Sequence, residues 1–420
     1  MADVRRDVAP AATDPTPDDA RPPGALGARV AIAAAELLVL TLWFSATAVA
    51  PQLGDLWGLD STGTSALTLA VQIGFVTGAL GLAIGGLPDR FPSRHIFVVA
   101  GLVGIAANSA ITILDRGDFG VALVLRFVTG AALAGVYPSG LKVMAGWFRR
   151  SRGMALGVLV GALTIGSAGP HLIRGVGLEW QGVVLGASVA ALTGVAVMAF
   201  VVDDGPFDPP PSRFSFAHIT SIVRNRGVRL STYGYLGHMW ELYAMWAWTA
   251  AFLAASAEAR DAGDGWVPAA TFAVIAVGGV GAWLAGVVAD RSGRTIAAGG
   301  SMALSGTIAL LSPLVFGAPS AVVVAVFLVW GFTVVADSAQ FSAMVTETAG
   351  DEERGTALTL QTALGFLLTL ITIQGIPVLA DTFGWRWAFP VLALGPAVGI
   401  AAMVRLRRSD EAALLAGGRG

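Results

Sequence analysis

Five ionisable residues interrupt long apolar runs of this chain: Glu36, Arg126, His238, Glu241 and Asp337. A charge at mid-bilayer costs about 2.5–3.5 kcal/mol on insertion scales, so each needs a partner or a wet cavity. Carboxyl and imidazole groups there are suited to proton transfer, because burial strengthens a carboxyl's hold on its proton and a nearby cation weakens it. His238 lies one helical turn before Glu241, so the two share a face and can share a proton or a ligand. The alternative is an inert pair that holds neighbouring helices together. Asp337 is a proton or substrate group, or else it neutralises a positive charge on a neighbouring span. Arg126 stays charged at any ordinary pH, so an anionic substrate or a carboxylate such as Glu241 or Asp337 must balance it. Glu36 lies near one end of its run, where it can instead snorkel toward water.

Softer signals surround these five. Thr333, Asp337, Gln340, Met344 and Glu347 recur at steps of four and three, a single stripe that suggests one wet helix face. Tyr137 follows Arg126 on the same run, and Lys142 marks its inner end. Aromatic residues crowd residues 233–248, where Tyr233, Tyr235, Trp240, Tyr243, Trp246 and Trp248 lie, with Trp43 and Phe44 adding to the supply. Some are interfacial anchors; others would give a cavity walls suited to a planar or amphipathic solute. Gly74, Gly78, Gly81 and Gly85, and again Gly153, Gly157 and Gly161, form small-residue stripes that read as helix-packing surfaces.

The elements that position these residues are membrane spans. The chain is 420 residues long, 55% hydrophobic and only 13% charged, about half the charge of a soluble domain. Some twenty apolar residues cross a bilayer as a helix, and twelve such runs are expected, near 28–50, 65–87, 95–114, 119–147, 153–174, 181–202, 230–256, 267–289, 295–316, 320–347, 355–380 and 385–404. With both termini inside, 21 of the 26 basic residues fall on the inner side, which sets the orientation. Residues 1–27 read as a disordered cytoplasmic tail, 203–229 as a cytoplasmic linker and 405–420 as a second tail, leaving bundles over 28–202 and 230–404. The absence of cysteine excludes disulfides, zinc-thiolate sites and thiol nucleophiles. The net charge of −2 gives no reason to expect a nucleic-acid partner, and no phosphate loop or cofactor or metal site is evident.

The two bundles are copies. Gly85, Asp89 and Arg90 return 201 positions later as Gly286, Asp290 and Arg291, and Arg152-Gly153 returns as Arg354-Gly355. With Leu87, Arg94, Gly293 and Arg294, these turns resemble the GxLxDRxGRR pattern of the major facilitator superfamily, and Arg126 with Gly130 resembles its RxxxG element. Pro92 stands where the family usually has Gly, which stiffens the first turn. The resemblance implies an all-α integral membrane fold, two six-helix bundles rocking about a midplane cavity lined by spans 1, 4, 7 and 10. All five buried charges lie on those four spans. It further implies that Asp89 and Asp290 latch the inner gate against the N-terminus of a helix in the other half, where a carboxylate gains about 0.3–1 kcal/mol from the helix dipole.

The expected function is transport, not catalysis: a proton-coupled carrier of a small organic solute in the bacterial inner membrane, a monomer among lipids, using protons as its second partner. Glu36, Arg126, Tyr137, His238, Trp240, Glu241, Asp337 and Gln340 are the candidate cavity residues, and Gly85, Asp89, Arg90, Arg94, Gly286, Asp290, Arg291 and Arg294 the candidate gate. Export of amphipathic compounds is slightly preferred over uptake of a small anion on Arg126. A receptor or intramembrane enzyme would need a signalling domain or a catalytic dyad that the sequence lacks.

Overall fold

The computed structural model describes residues 24–148, 152–207 and 214–420, with the side chains of residues 61, 88, 89 and 152–156 outside that description. The expected N-terminal tail up to residue 23 and the Asp89 side chain therefore lie outside the described residues. The described residues contain helices and no strand. Twelve long helices stand where apolar runs are expected: α1 (Ala25–Leu40), α2 (Ser61–Gly85), α3 (Ser93–Ala110), α4 (Phe119–Trp147), α5 (Arg152–Arg174), α6 (Trp180–Phe200) and α7 (Arg226–Glu258). The rest are α8 (Val267–Ser292), α9 (Arg294–Val315), α10 (Ser320–Thr348), α11 (Arg354–Phe383) and α12 (Leu394–Arg407). Among the described residues nine of these positions are long and apolar enough to cross a membrane, all but α1, α5 and α7.

Two helices are broken where chemistry is expected. The first stops at Leu40, and residues 41–46 form turns before the chain becomes helical again at Thr47. The tenth is interrupted at Asp337, between Ser320–Ala336 and Ser338–Thr348. A broken helix frees carbonyl groups that lipid cannot satisfy, so such breaks persist only where protein or water takes them up.

The duplication extends to packing. A Cβ on Gly130 of α4 would strike the Val71 carbonyl of α2, and one on Gly331 of α10 would strike the Val274 carbonyl of α8. Gly194 of α6 meets the Ala35 carbonyl of α1 just as Gly395 of α12 meets the Gly237 carbonyl of α7. These contacts recur at the spacing of the sequence repeat, and glycine is needed because the backbones touch. Between the first six helices and the last six, α2 packs on α11 and α5 packs on α8. Gly161 and Gly279 face each other in the second of these interfaces, and the Ser65 hydroxyl lies 2.6 Å from Oε1 of Gln374 in the first.

The segment expected to be a C-terminal tail is folded. Residues 410–417 turn back so that the Ala416 N–H donates to Glu347 Oε2 at 3.1 Å. Gly293, at φ 98° and ψ 152°, takes a conformation that only glycine adopts readily, and carbonyls of Arg419 and Gly420 fill the space where a side chain would sit. The equivalent first turn is built differently: Gly86 takes the left-handed conformation at φ 62°, and Pro92 sits at φ −56°. The proline therefore replaces the glycine without a φ > 0 position, because the turn has moved upstream to Gly86.

Candidate functional site

The buried charges fall into three clusters. The first surrounds Arg126, fully buried on α4. Its Nη2 donates to the Trp43 carbonyl at 2.6 Å, and its Nη1 to the Leu42 carbonyl at 3.2 Å, the Ser45 hydroxyl at 3.1 Å and Asn108 Oδ1 at 2.9 Å. The guanidinium thus occupies the break in the first span and takes up the carbonyls that the break frees. Every acceptor is neutral. Glu241 and Asp337, the carboxylates expected to balance this charge, bond elsewhere. Asn108 and Ser45 carry no charge and escaped the sequence reading; an asparagine inside the apolar run of α3 was the available signal. Asn108 continues the network by donating to the Ser188 hydroxyl on α6 at 3.0 Å.

The second cluster joins α7, α9 and α10. Glu241 accepts from the Trp330 indole at 2.6 Å and from the Ser305 hydroxyl at 2.9 Å, one donor to each carboxylate oxygen. His238 Nδ1 lies 2.8 Å from Asp337 Oδ1, close enough for an ion pair but off the line of a ring N–H hydrogen bond. All four of His238, Glu241, Asp337 and Gln340 are 1–2% exposed. His238 and Glu241 therefore share a face without sharing a partner: each reaches a different level of α10. Along the expected stripe on α10, Thr333 bonds its own helix, Asp337 meets His238, and Gln340 and Glu347 both accept from Arg294.

Arg294 belongs to the second copy of the repeated turn. Its Nε and Nη2 grip Glu347 at 2.8 and 2.6 Å, a bidentate pair joining the start of α9 to the C-terminal end of α10. Arg94 in the first copy instead donates to the Val202 carbonyl at 2.6 Å, with Asp203 at 3.8 Å. Arg90, Asp290 and Arg291 are exposed, and Gly286 has open space around it. Asn225 ties the same level together: its side chain caps α7 by accepting from Val228 N and donates to the Thr348 carbonyl at the end of α10.

Glu36 forms the third site alone. It is fully buried on α1, and neither carboxylate oxygen has a hydrogen-bond partner among the described residues. Gly140 of α4 makes the room, since a Cβ there would strike Glu36 Oε2. Tyr137, one turn earlier on α4, is half-buried.

Aromatic rings fill the space between the two sets of helices. Trp43 lies 4.9 Å from Phe75 of α2, 5.7 Å from Phe366 of α11 and 5.8 Å from Tyr243 of α7. Phe75 and Phe366 are 4.5 Å apart, and Trp246 joins through Tyr243 at 5.5 Å. Trp240 is not among them. It turns away to α12, donating from its indole to the Val391 carbonyl at 3.1 Å and packing on Gly395.

An all-helical membrane protein with buried charges on its first, fourth, seventh and tenth spans has the architecture of a secondary transporter rather than an enzyme. The chain belongs to the Major Facilitator Superfamily, whose profile matches residues 32–368, as the repeated turns implied. It is 29% identical over 187 residues to the 4-hydroxybenzoate transporter PcaK of Pseudomonas putida. That match covers 43% of this chain and only 37% of the relative's length.

Proposed function

We propose that this protein is a proton-coupled secondary transporter that carries a small organic solute across the bacterial inner membrane by alternating access. It works as a monomer with both termini cytoplasmic. The bundles 28–202 and 230–404 rock about the aromatic cluster, and the linker 203–229 joins them on the cytoplasmic side. Asp89 and Asp290 latch the inner face.

The observation that carries this reading is Glu36, buried with both carboxylate oxygens unpartnered among the described residues. Such a group is stable only while protonated, since an isolated buried carboxylate is costly. It can release its proton when one side of the protein opens and water reaches it. Proton occupancy is then tied to which side is open, which is what coupling requires. The His238–Asp337 contact places an imidazole and a carboxyl group 2.8 Å apart on the other half.

Uptake of a small anion is favoured over export of amphipathic compounds by one feature: the permanent charge of Arg126 meets only neutral acceptors. The similarity to a 4-hydroxybenzoate transporter supports a small aromatic carboxylate as that anion.

Purified protein in liposomes tests the reading, with flux screened across aromatic carboxylates, neutral aromatic solutes and amphipathic cations, with and without an imposed pH gradient. At least one solute should move faster with the gradient, and Glu36→Gln should abolish that acceleration. Gradient-independent flux for every solute, or an unchanged response in Glu36→Gln, overturns it.

A further inference from the structure

Three fully or almost fully buried side chains in and beside the aromatic cluster hold N–H donors with no hydrogen-bond partner among the described residues: the indole of Trp43, the indole of Trp246 and the amide of Gln72. Their exposures are 1%, 0% and 0%. Buried donors are almost always paired, so three orphans in one neighbourhood need an explanation. Gln72 stands one turn before Phe75 on α2, on the stripe Ser65, Thr68, Gln72, Phe75. That stripe meets Gln374 at Ser65, Thr47 at Thr68, and Trp43 and Phe366 at Phe75. Ser65 and Phe75 thus touch the other half of the protein, while Thr68 and Phe75 meet the segment that follows α1.

The orphaned groups named here are mostly donors, with Gln72 Oε1 the acceptor among them. Indole N–H groups donate and never accept, and a primary amide offers two further donors. Arg126 lies directly behind, holding the Leu42 and Trp43 carbonyls and the Ser45 hydroxyl, so the acceptors of this stretch are already taken and a permanent positive charge remains. The walls are flat rings, Trp43, Phe75, Tyr243 and Phe366, spaced 4.5–5.8 Å apart between centroids. Rings at that spacing can part to admit another ring between them with offset stacking.

We propose that Trp43, Trp246 and Gln72 are the specificity-determining residues for substrate, taking the carboxylate of a planar aromatic acid with their three orphan donors while the surrounding rings clasp its aromatic plane. With ligand, each gains a charge-assisted hydrogen bond, and the Arg126 charge gains a counter-charge. Gln72 Oε1, equally unpartnered, offers an acceptor to a ring hydroxyl. The inference rests on the reading that this chain transports a small organic solute; it adds which end of the solute is read and by which side chains.

Binding to the full-length protein in nanodiscs provides the test, by tryptophan fluorescence and calorimetry with benzoate, 4-hydroxybenzoate and benzamide. Benzoate and benzamide differ mainly in charge and in whether the group only accepts. Benzoate should bind at least tenfold more tightly than benzamide. Trp43→Phe and Trp246→Phe, which keep a ring and delete one N–H, should each weaken benzoate about tenfold and leave benzamide within twofold. Gln72→Glu, which puts a like charge against the carboxylate, should abolish benzoate binding; a preserved melting temperature in each variant shows that the site and not the fold was changed. Equal binding of benzoate and benzamide, no binding of any aromatic acid, or wild-type benzoate affinity in both tryptophan variants overturns the assignment. Gradient-driven flux of some other solute alongside such a result would leave the transport reading standing and remove only this site; absence of gradient-driven flux for every solute would remove the transport reading itself.

Discussion

The Trp330 indole donates a 2.6 Å hydrogen bond to Glu241 Oε1, so the most central carboxylate of the second half is held by a donor from α10 and not by a cation. Ser305 holds the other oxygen from α9 at 2.9 Å. Removing one donor strands half of a buried carboxyl group, which costs about 1–3 kcal/mol. Trp330→Phe keeps the ring packing against Phe327 and Phe389 and deletes the N–H. It should lower the melting temperature and slow transport several-fold, and Ser305→Ala should do the same to a smaller extent; thermal melts in detergent and initial rates in liposomes measure both.

Gly140 makes room for Glu36, and a methyl group there would overlap the carboxylate. Gly140→Ala is expected to destabilise the protein by about 1–3 kcal/mol, the range for overpacking a tight interior. The pair Gly140→Ala with Glu36→Ala should regain stability without regaining coupling. Melting temperature and gradient-driven flux, measured on the same preparations, separate the two effects.

Gly130 and Gly331 press on the carbonyls of Val71 and Val274 at equivalent places in the two halves. Alanine at either should prevent the helices from closing and reduce the yield of folded protein sharply. Alanine at Gly81 or Gly286, where a Cβ meets nothing within 4 Å, should be tolerated. Size-exclusion profiles of the four variants check the contrast.

The Arg294–Glu347 pair is bidentate, but its side chains are 18% and 24% exposed, so solvent weakens it to about 1 kcal/mol. Glu347→Gln should cost roughly that much and should also loosen residues 410–417, because Glu347 accepts from the Ala416 N–H. Hydrogen exchange of the Ala416 amide is expected to speed up in the variant, and unchanged protection would contradict the link.

Much of the architecture was legible because apolar runs and their charged ends leave little freedom. The fourth span reads as 119–147 from Asp118 to the basic residues after it, and the helix is Phe119–Trp147. The breaks at 41–46 and at Asp337 were not legible, since neither carries a proline or glycine to mark it. The partner of Arg126 was hidden for the same reason: the Leu42 and Trp43 carbonyls are available only because the helix stops, and backbone acceptors leave no mark in a sequence. Trp240 adjoins Glu241 in the chain, yet one residue is about 100° of helix rotation, enough to send it to α12. Ser305 and Trp330 are unremarkable residues of apolar helices, and only the neighbours' positions give them a role.

Proton coupling through Glu36 is the central claim, and proton movement driven by solute alone tests it most directly. Liposomes containing the protein and a trapped pH-sensitive dye, with no imposed gradient, receive a solute that the flux screen has identified. Wild-type protein should change the internal pH on solute addition, at a rate that follows solute concentration, and Glu36→Gln should bind the solute without changing the pH. A pH change of equal size in Glu36→Gln, or none in the wild type while solute still crosses, would contradict it.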